Sequence, residues 1–216
     1  AEQSHRVVAS GQSVQALYTG GESNKTLLVS YDGMVIPIVV TPNGSFTMPA
    51  TDATITATND WSGSGTSGDP YIIESPEQLN MLSFRVNNGV SNYDGKYFQL
   101  AGDITYSHTT AWDDATSTEN NYVTIGITTT TKYFKGTLDG QNHTISGIRV
   151  YKDDNSSYHG LFGYVNGALG KNLILADTRI TGCAHTAGIV GLLGGASEVT
   201  LCHVLGNVTI HAVSNE

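Results

Sequence analysis

The chain has 216 residues, of which 25 are glycine and only 13% are charged, and its 10 basic and 19 acidic residues leave a formal charge of −9. That charge repels nucleic acid and anionic lipid headgroups, and there is no run of about 18 apolar residues to span a membrane. Abundant glycine, threonine, valine and isoleucine, with one segment that reads as helix, predict an all-β, turn-dense fold long enough to bury a core.

Residues 1–59 read as a small antiparallel β module. Short alternating runs at 14–18, 26–31, 34–40 and 53–57 are separated by Gly20-Gly21, Asp32-Gly33 and Asn43-Gly44, dipeptides that favour tight turns between strands. A Gly/Ser-rich stretch from Trp61 to Pro70 marks the passage into a second domain, 60–216. Ser75, Pro76 and Gln78 then have the layout of a capping box, which predicts a helix over about 75–87, ended by Gly89. Leu79, Leu82 and Val86 share one side of it with Met81 near the edge, so the helix has a stripe to bury and is expected to cap the open end of the strand-rich region on its C-terminal side.

From there strand and turn alternate to the terminus. Gly160-Leu161-Phe162-Gly163 and Gly188-Ile189-Val190-Gly191 are one pattern written twice, 28 positions apart. At that offset Gly167 aligns with Gly195, Leu173 with Leu201, Ile174 with Cys202, Ala176 with Val204 and Ile180 with Val208. Apolar positions recurring as apolar, and glycines as glycines, indicate one supersecondary unit stacked on another. A stack of coils, each pairing its backbone with the next, makes a parallel β-helix, right-handed by the crossover rule. Two polar insertions, 109–121 and 152–159, are expected to protrude from it as loops. The last unit finishes at 213–216 without an evident capping element, so the natural protein is expected either to continue into further domains beyond Glu216 or to be covered there by another chain. Cys183 and Cys202 leave a disulfide open, with a small buried hydrophobe the alternative reading at Cys202.

Two resemblances rest on these residues. The run Phe46-Thr47-Met48-Pro49-Ala50 followed by an alternating Thr strand resembles the end of bacterial surface modules related to the internalin B-repeat, which serve as spacers in exported proteins. Gly68-Asp69-Pro70-Tyr71-Ile72-Ile73 with Pro76 to Leu79, then Gly95 to Leu100 with Asp103-Ile104, then Phe134 to Ile145, and finally the two glycine repeats resemble in order the bacterial GLUG-type repeat domain. That resemblance covers about two thirds of the chain and implies a parallel β-helix from exported proteins such as adhesins and IgA-peptidase-like proteins. The family carries no catalytic residues to transfer.

Parallel β-helices also include polysaccharide lyases and hydrolases, so the acid pairs Asp113-Asp114 and Asp153-Asp154 need weighing. A two-carboxylate glycosidase holds its acids across a groove, roughly 5 to 9.5 Å apart. Sequence neighbours in polar insertions read instead as solvated loop acids, and Asp139, followed by Gly140, reads as a turn residue. The seven histidines show no metal-ligand spacing, and no metal or cofactor is expected, although hard oxygen ligands for calcium are present in the insertions. Aromatic side chains in or beside loops offer the best binding hint: Trp112, Tyr151 and Tyr158 foremost, with Trp61, Tyr106, Tyr122 and Tyr133. The competing reading is that tyrosines simply shield the coil edges. The expectation is a non-enzymatic, secreted or cell-surface bacterial protein that adheres to host glycan or protein, with a carbohydrate-active enzyme and a structural stalk as alternatives.

Overall fold

The computed structural model describes residues 11–15, 25–31, 34–40, 45–47, 53–127, 130–152 and 158–213. The chain divides into two compact units, Ala1–Asp60 and Trp61–Glu216. The first contains β1 (Ser13–Gln15), β2 (Lys25–Tyr31), β3 (Met34–Val40), β4 (Ser45–Thr47) and β5 (Ala53–Asn59). Its main sheet is antiparallel in the order β3-β2-β5, and β1 pairs β4 antiparallel in a separate two-stranded sheet. Central β2 buries Leu27 and Val29, alternate residues on one side. Pro37 falls in β3, the outer strand of this sheet among the described residues, at an irregularity in its pairing with β2, a position where proline is tolerated. The three turns expected at Gly20-Gly21, Asp32-Gly33 and Asn43-Gly44 lie outside the described residues.

The second unit is a parallel β-solenoid of about four turns with a single short helix. Its elements are β6 (Tyr71–Ile73), α1 (Pro76–Asn87), β7 (Tyr97–Leu100), β8 (Ile104–Thr105), β9 (Thr137–Asp139), β10 (Thr144–Ser146), β11 (Arg149–Tyr151), β12 (Phe162–Asn166), β13 (Leu169–Lys171), β14 (Ile174–Gly182), β15 (Val190–Gly194), β16 (Glu198–Thr200) and β17 (His203–Ala212). Three parallel sheets wrap the core: β6-β7-β9-β13-β16, then β8-β10-β14-β17 with β11 also on β14, then β12-β15. Within a sheet, identical register puts like residues above one another. Ile104, Ile145, Leu175 and Val204 form one such ladder, and Val150, Ile180 and Ile210 another.

The coil is not a constant 28 residues. Phe162 pairs with Val190 at that offset, but Leu169 pairs with Glu198 and Ile174 with His203, one residue further, and Ile180 pairs with Ile210, two further. An extra residue enters at the corner around Gly195, and a second at the irregularity between Ala176 and Thr178. The alignments expected past Gly195 are therefore corrected: Val204 stacks on Leu175 rather than Ala176, and His203, not Cys202, stacks on Ile174. Because strand side chains alternate, each one-residue slip exchanges inward for outward. Leu201 consequently lands over Asn172 at a corner, in the left-handed region (φ 52), where leucine has no conformational reason to be.

The repeated glycines serve close approach. A Cβ at Gly163 would collide with the carbonyl oxygens of Gly126 and Tyr158, and one at Gly191 with that of His185.

The helix begins and ends where the sequence predicts. Ser75 is extended and its Oγ accepts from the Gln78 N–H (3.4 Å), Pro76 opens the first turn, and Gly89 (φ 71) follows the C-cap Asn88. Gln78 reaches back to Glu74, whose N–H donates to its Oε1 at 2.7 Å. Leu79, Met81, Leu82 and Val86 are fully buried. The polar members of the buried side close the first coil. Ser83 Oγ donates to the Val123 carbonyl (2.7 Å), Asn87 Nδ2 donates to that of Thr124 (2.8 Å), and Asn87 Oδ1 accepts from Gly126 N–H (2.8 Å). Backbone groups that a missing previous coil would have satisfied are satisfied by side chains.

Candidate functional site: the lateral face beneath the 106–121 loop

On strands β11 and β14 the inward residues are Val150 and Ile180, so Arg149, Tyr151, Arg179 and Thr181 stand on the outer side of the sheet. An arginine there would ordinarily reach water. Arg149 is instead 4% exposed, because the 106–121 loop folds down over it. Its Nη1 donates to the Trp112 carbonyl (2.6 Å), and its Nη2 to those of Asp114 (2.7 Å) and Ser117 (2.9 Å). Nε is buried without a hydrogen-bond partner. Burial, and then the neighbouring Arg179, hold this guanidinium below its ordinary pKa, opposed by Glu119 and Asp114; it still carries its charge at neutral pH. Buried Asn121 fastens the loop's far end, with Nδ2 donating to Ser107 (2.9 Å) and Gly147 (2.6 Å) carbonyls and Oδ1 accepting from Arg149 N–H (2.6 Å). The expected protruding loop is therefore corrected to one clamped against the stack: a buried guanidinium needs acceptors, and the loop's carbonyls are the ones within reach.

Trp112 is part of the clamp. It is 8% exposed, with His108 stacked flat on its ring at 3.8 Å between centroids and the Arg179 guanidinium 5.6 Å from the ring centre. His108 Nε2 lies 2.6 Å from Asp177 Oδ2, and Arg179 Nη2 3.2 Å from Asp113 Oδ1. What the face offers to solvent is thus the outer side of a built layer: His108, Asp113, Asp177 and Arg179, with half-buried Tyr151 two residues along from Arg149. Tyr151 N–H donates to Asn120 Oδ1.

The other aromatic candidates lie elsewhere. Tyr158 is half-buried beside Tyr164 (5.5 Å between centroids) and His185 (4.9 Å), and Tyr133 also packs on Tyr164. Trp61 packs into the cap against Phe98, Tyr71 and Tyr93, with its Nε1 donating to the Gln78 carbonyl (3.2 Å). Tyr106 and Tyr122 are buried edge to face under the helix. Burial pushes both phenols well above their usual range, Tyr106 further through Tyr122 and Glu77, so both remain donors: Tyr106 to Asn80 Oδ1 and Tyr122 to the Leu161 carbonyl. For these residues shielding and coil closure account for the aromatic ring.

The acidic candidates among the described residues are each engaged, Asp113 with Arg179. Asp114 accepts from Thr116 Oγ1 and N–H, which hold its carboxyl below the usual range, and Glu119 is held down first by the Ala111 N–H. Burial pushes Asp139 up, but Asn172, Lys171 (2.9 Å) and the Gln141 N–H outweigh it and leave its pKa lowered, as suits a corner residue tying two coils together. Asp153 and Asp154 lie outside the described residues. No group of three His, Cys, Asp or Glu that could hold a metal occurs among the described residues. No disulfide joins Cys183 and Cys202, and burial pushes the Cys202 thiol up, away from thiolate chemistry.

Fold and face together define a parallel β-solenoid with one dressed lateral surface. No family model matches the chain. It is 30% identical over 153 residues to halomucin of Haloquadratum walsbyi, an alignment that takes in 69% of this chain and 2% of that protein. The chain thus spans about 2% of the length of this curated relative. No solved structure matches. No helix among the described residues is long and apolar enough to cross a membrane.

Proposed function

We propose that this is a non-enzymatic, secreted or cell-surface bacterial protein of the GLUG-repeat type, in which residues 1–59 act as a spacer and residues 60–216 present a lateral β-solenoid face for adhesion to host glycan or protein. The observation that carries the reading is the Arg149 clamp. A buried guanidinium with three carbonyl acceptors fixes a polar loop on a flat sheet, and the fixed loop sets out His108, Asp113, Asp177 and Arg179 as a rigid mixed-charge patch beside Tyr151. A rigid patch loses little conformational entropy on binding, which favours a contact surface over a mere outer wall. The similarity to a protein named as a mucin supports an extracellular setting.

The test is a glycan array with parallel binding to immobilised host-cell surface proteins, using wild type and the His108→Ala/Arg179→Ala double variant. Binding that falls at least tenfold in the variant, on an unchanged circular dichroism spectrum, supports the assignment. Failure of folded wild type to bind any target favours a structural stalk, and release of new reducing ends from a polysaccharide, lost in Asp113→Asn, favours the enzyme reading.

A further inference from the structure

Asp177 occupies a position that glycine holds in the coils on either side. The backbone turns left-handed there, at φ 42, where the pairing of β14 is irregular. The equivalent turns are made by Gly147 (φ 75), between the pairs Ser146–Ala176 and Arg149–Arg179, and by Gly206 (φ 69), between the pairs Ala176–Leu205 and Thr178–Val208. Left-handed backbone crowds a Cβ, so glycine is the residue the turn favours. An aspartate there has a strained backbone and one compensation, its carboxylate.

That carboxylate meets the imidazole of the lateral face. Asp177 Oδ2 lies 2.6 Å from His108 Nε2, and the His108 ring is stacked on Trp112. An ionised carboxylate only accepts hydrogen bonds, so Nε2 of the neutral ring carries the proton and Nδ1 is left with a lone pair. Nδ1 has no partner among the described residues, and the His108 side chain is 46% exposed. The carboxylates lean the same way. Asp177 Oδ1 and Asp113 Oδ2 accept from no described residue, on side chains 40% and 93% exposed, whereas the Arg179 guanidinium is already engaged by Asp113 and the Trp112 ring. Counting Asp113, Asp114, Glu119 and Asp177 against Arg149 and Arg179, the face is net negative in a chain that carries −9.

We propose that Asp177 is the positioning residue of this face, fixing His108 as a hydrogen-bond acceptor, and that the acceptor-rich face so formed takes the hydroxyl groups of a neutral glycan. The inference rests on the adhesion reading above and narrows it to one ligand class. A sugar hydroxyl both donates and accepts, so it suits imidazole and carboxylate acceptors lying beside a guanidinium. A sialylated or sulfated glycan brings negative charge to a negative face, and a lysine or arginine from a protein meets Arg179. Both are disfavoured.

Two measurements on the full chain test this. Imidazole ¹⁵N shifts of histidine-labelled protein at about pH 8.5, where an imidazole is neutral, with His108 assigned by its loss in His108→Gln, should show an Nε2–H ring in wild type and a mixture of tautomers in Asp177→Gly. Because glycine suits the turn, Asp177→Gly should leave Tm unchanged or raise it. On an array that pairs neutral galactose-, mannose- and N-acetylglucosamine-terminated glycans with their sialylated and sulfated forms, wild type should bind neutral members at least tenfold more tightly, and Asp177→Gly should lose at least tenfold on those. A His108 ring protonated on Nδ1, or a lower Tm in Asp177→Gly with binding intact, would overturn the positioning role and leave Asp177 a fastener of the loop. Preference for the sialylated or sulfated forms, or for a protein target, would overturn the neutral-glycan assignment while adhesion by this face stands. A folded wild type that binds no target would overturn the adhesion reading and the glycan assignment with it.

Discussion

The first coil and the last described coil differ in how much of their apolar cross-section the described residues cover. At the first coil, α1 lays Leu79, Leu82 and Val86 over the core while Ser83 and Asn87 answer the carbonyls of Val123 and Thr124 and the N–H of Gly126. At the last coil, Leu193, Val204 and Ile210 are about half exposed. The helix shows that covering an end of a β-solenoid takes two things together, apolar cover for the ladders and polar partners for the edge.

That contrast breaks most visibly under truncation of the ladders. Leu175→Ala, in a dry rung, should cost about 3 kcal/mol, whereas Val204→Ala, one rung out, should cost under about 1 kcal/mol, both measured by urea denaturation. Equal costs would mean that the last rung is as enclosed as the third. Asn87→Ala should cost about 2 kcal/mol, because it leaves the buried Gly126 N–H without its acceptor and removes the shorter of two donors to the Thr124 carbonyl, and hydrogen exchange should quicken at Gly126 before it does in β14. Arg149→Met should release the clamped loop at a similar cost of about 2 kcal/mol, with faster exchange over 109–121 and little change in the ladders; Arg149→Lys, lacking the planar fork, should not restore it.

Smaller effects sharpen the picture at the corners. Asp139 has a folded pKa below that of the unfolded chain, so its contribution is complete above the unfolded carboxyl value of about 4 and is lost as pH falls through the lower folded one. Asp114 and Glu119 have the same sign. Tm should therefore be flat on this account from neutral pH to about pH 4 and fall below it, less steeply in Asp139→Asn. Leu201→Asn should stabilise by about 0.5 kcal/mol, since it replaces a 73% exposed leucine in left-handed backbone with the residue type that Asn172 supplies one coil earlier.

Much of this was legible in the residues. Ser75, Pro76 and Gln78 announce the helix, its apolar stripe announces a cap, and the doubled glycine pattern announces stacking. The register was not. At an offset of 28, Leu173 and Leu201 make an attractive hydrophobic match, and nothing in either residue says that a corner has gained a position and moved Leu201 over Asn172. The lateral face was legible only in its parts. Trp112 reads as an aromatic in a polar insertion, which suggests a binding platform, and Arg149 reads as an outward residue on a strand. That one lies under the other depends on a contact across 37 residues that local pattern cannot encode.

The most direct test of stacking itself uses spin labels on outward positions of neighbouring rungs, Thr144→Cys with Ile174→Cys and Ile174→Cys with His203→Cys, in the Cys183→Ser/Cys202→Ser background. Adjacent parallel strands lie about 4.8 Å apart, so both pairs should give spectra strongly broadened relative to the single labels. Narrow spectra equal to the sum of the single labels, on folded protein, would contradict the stacked coils.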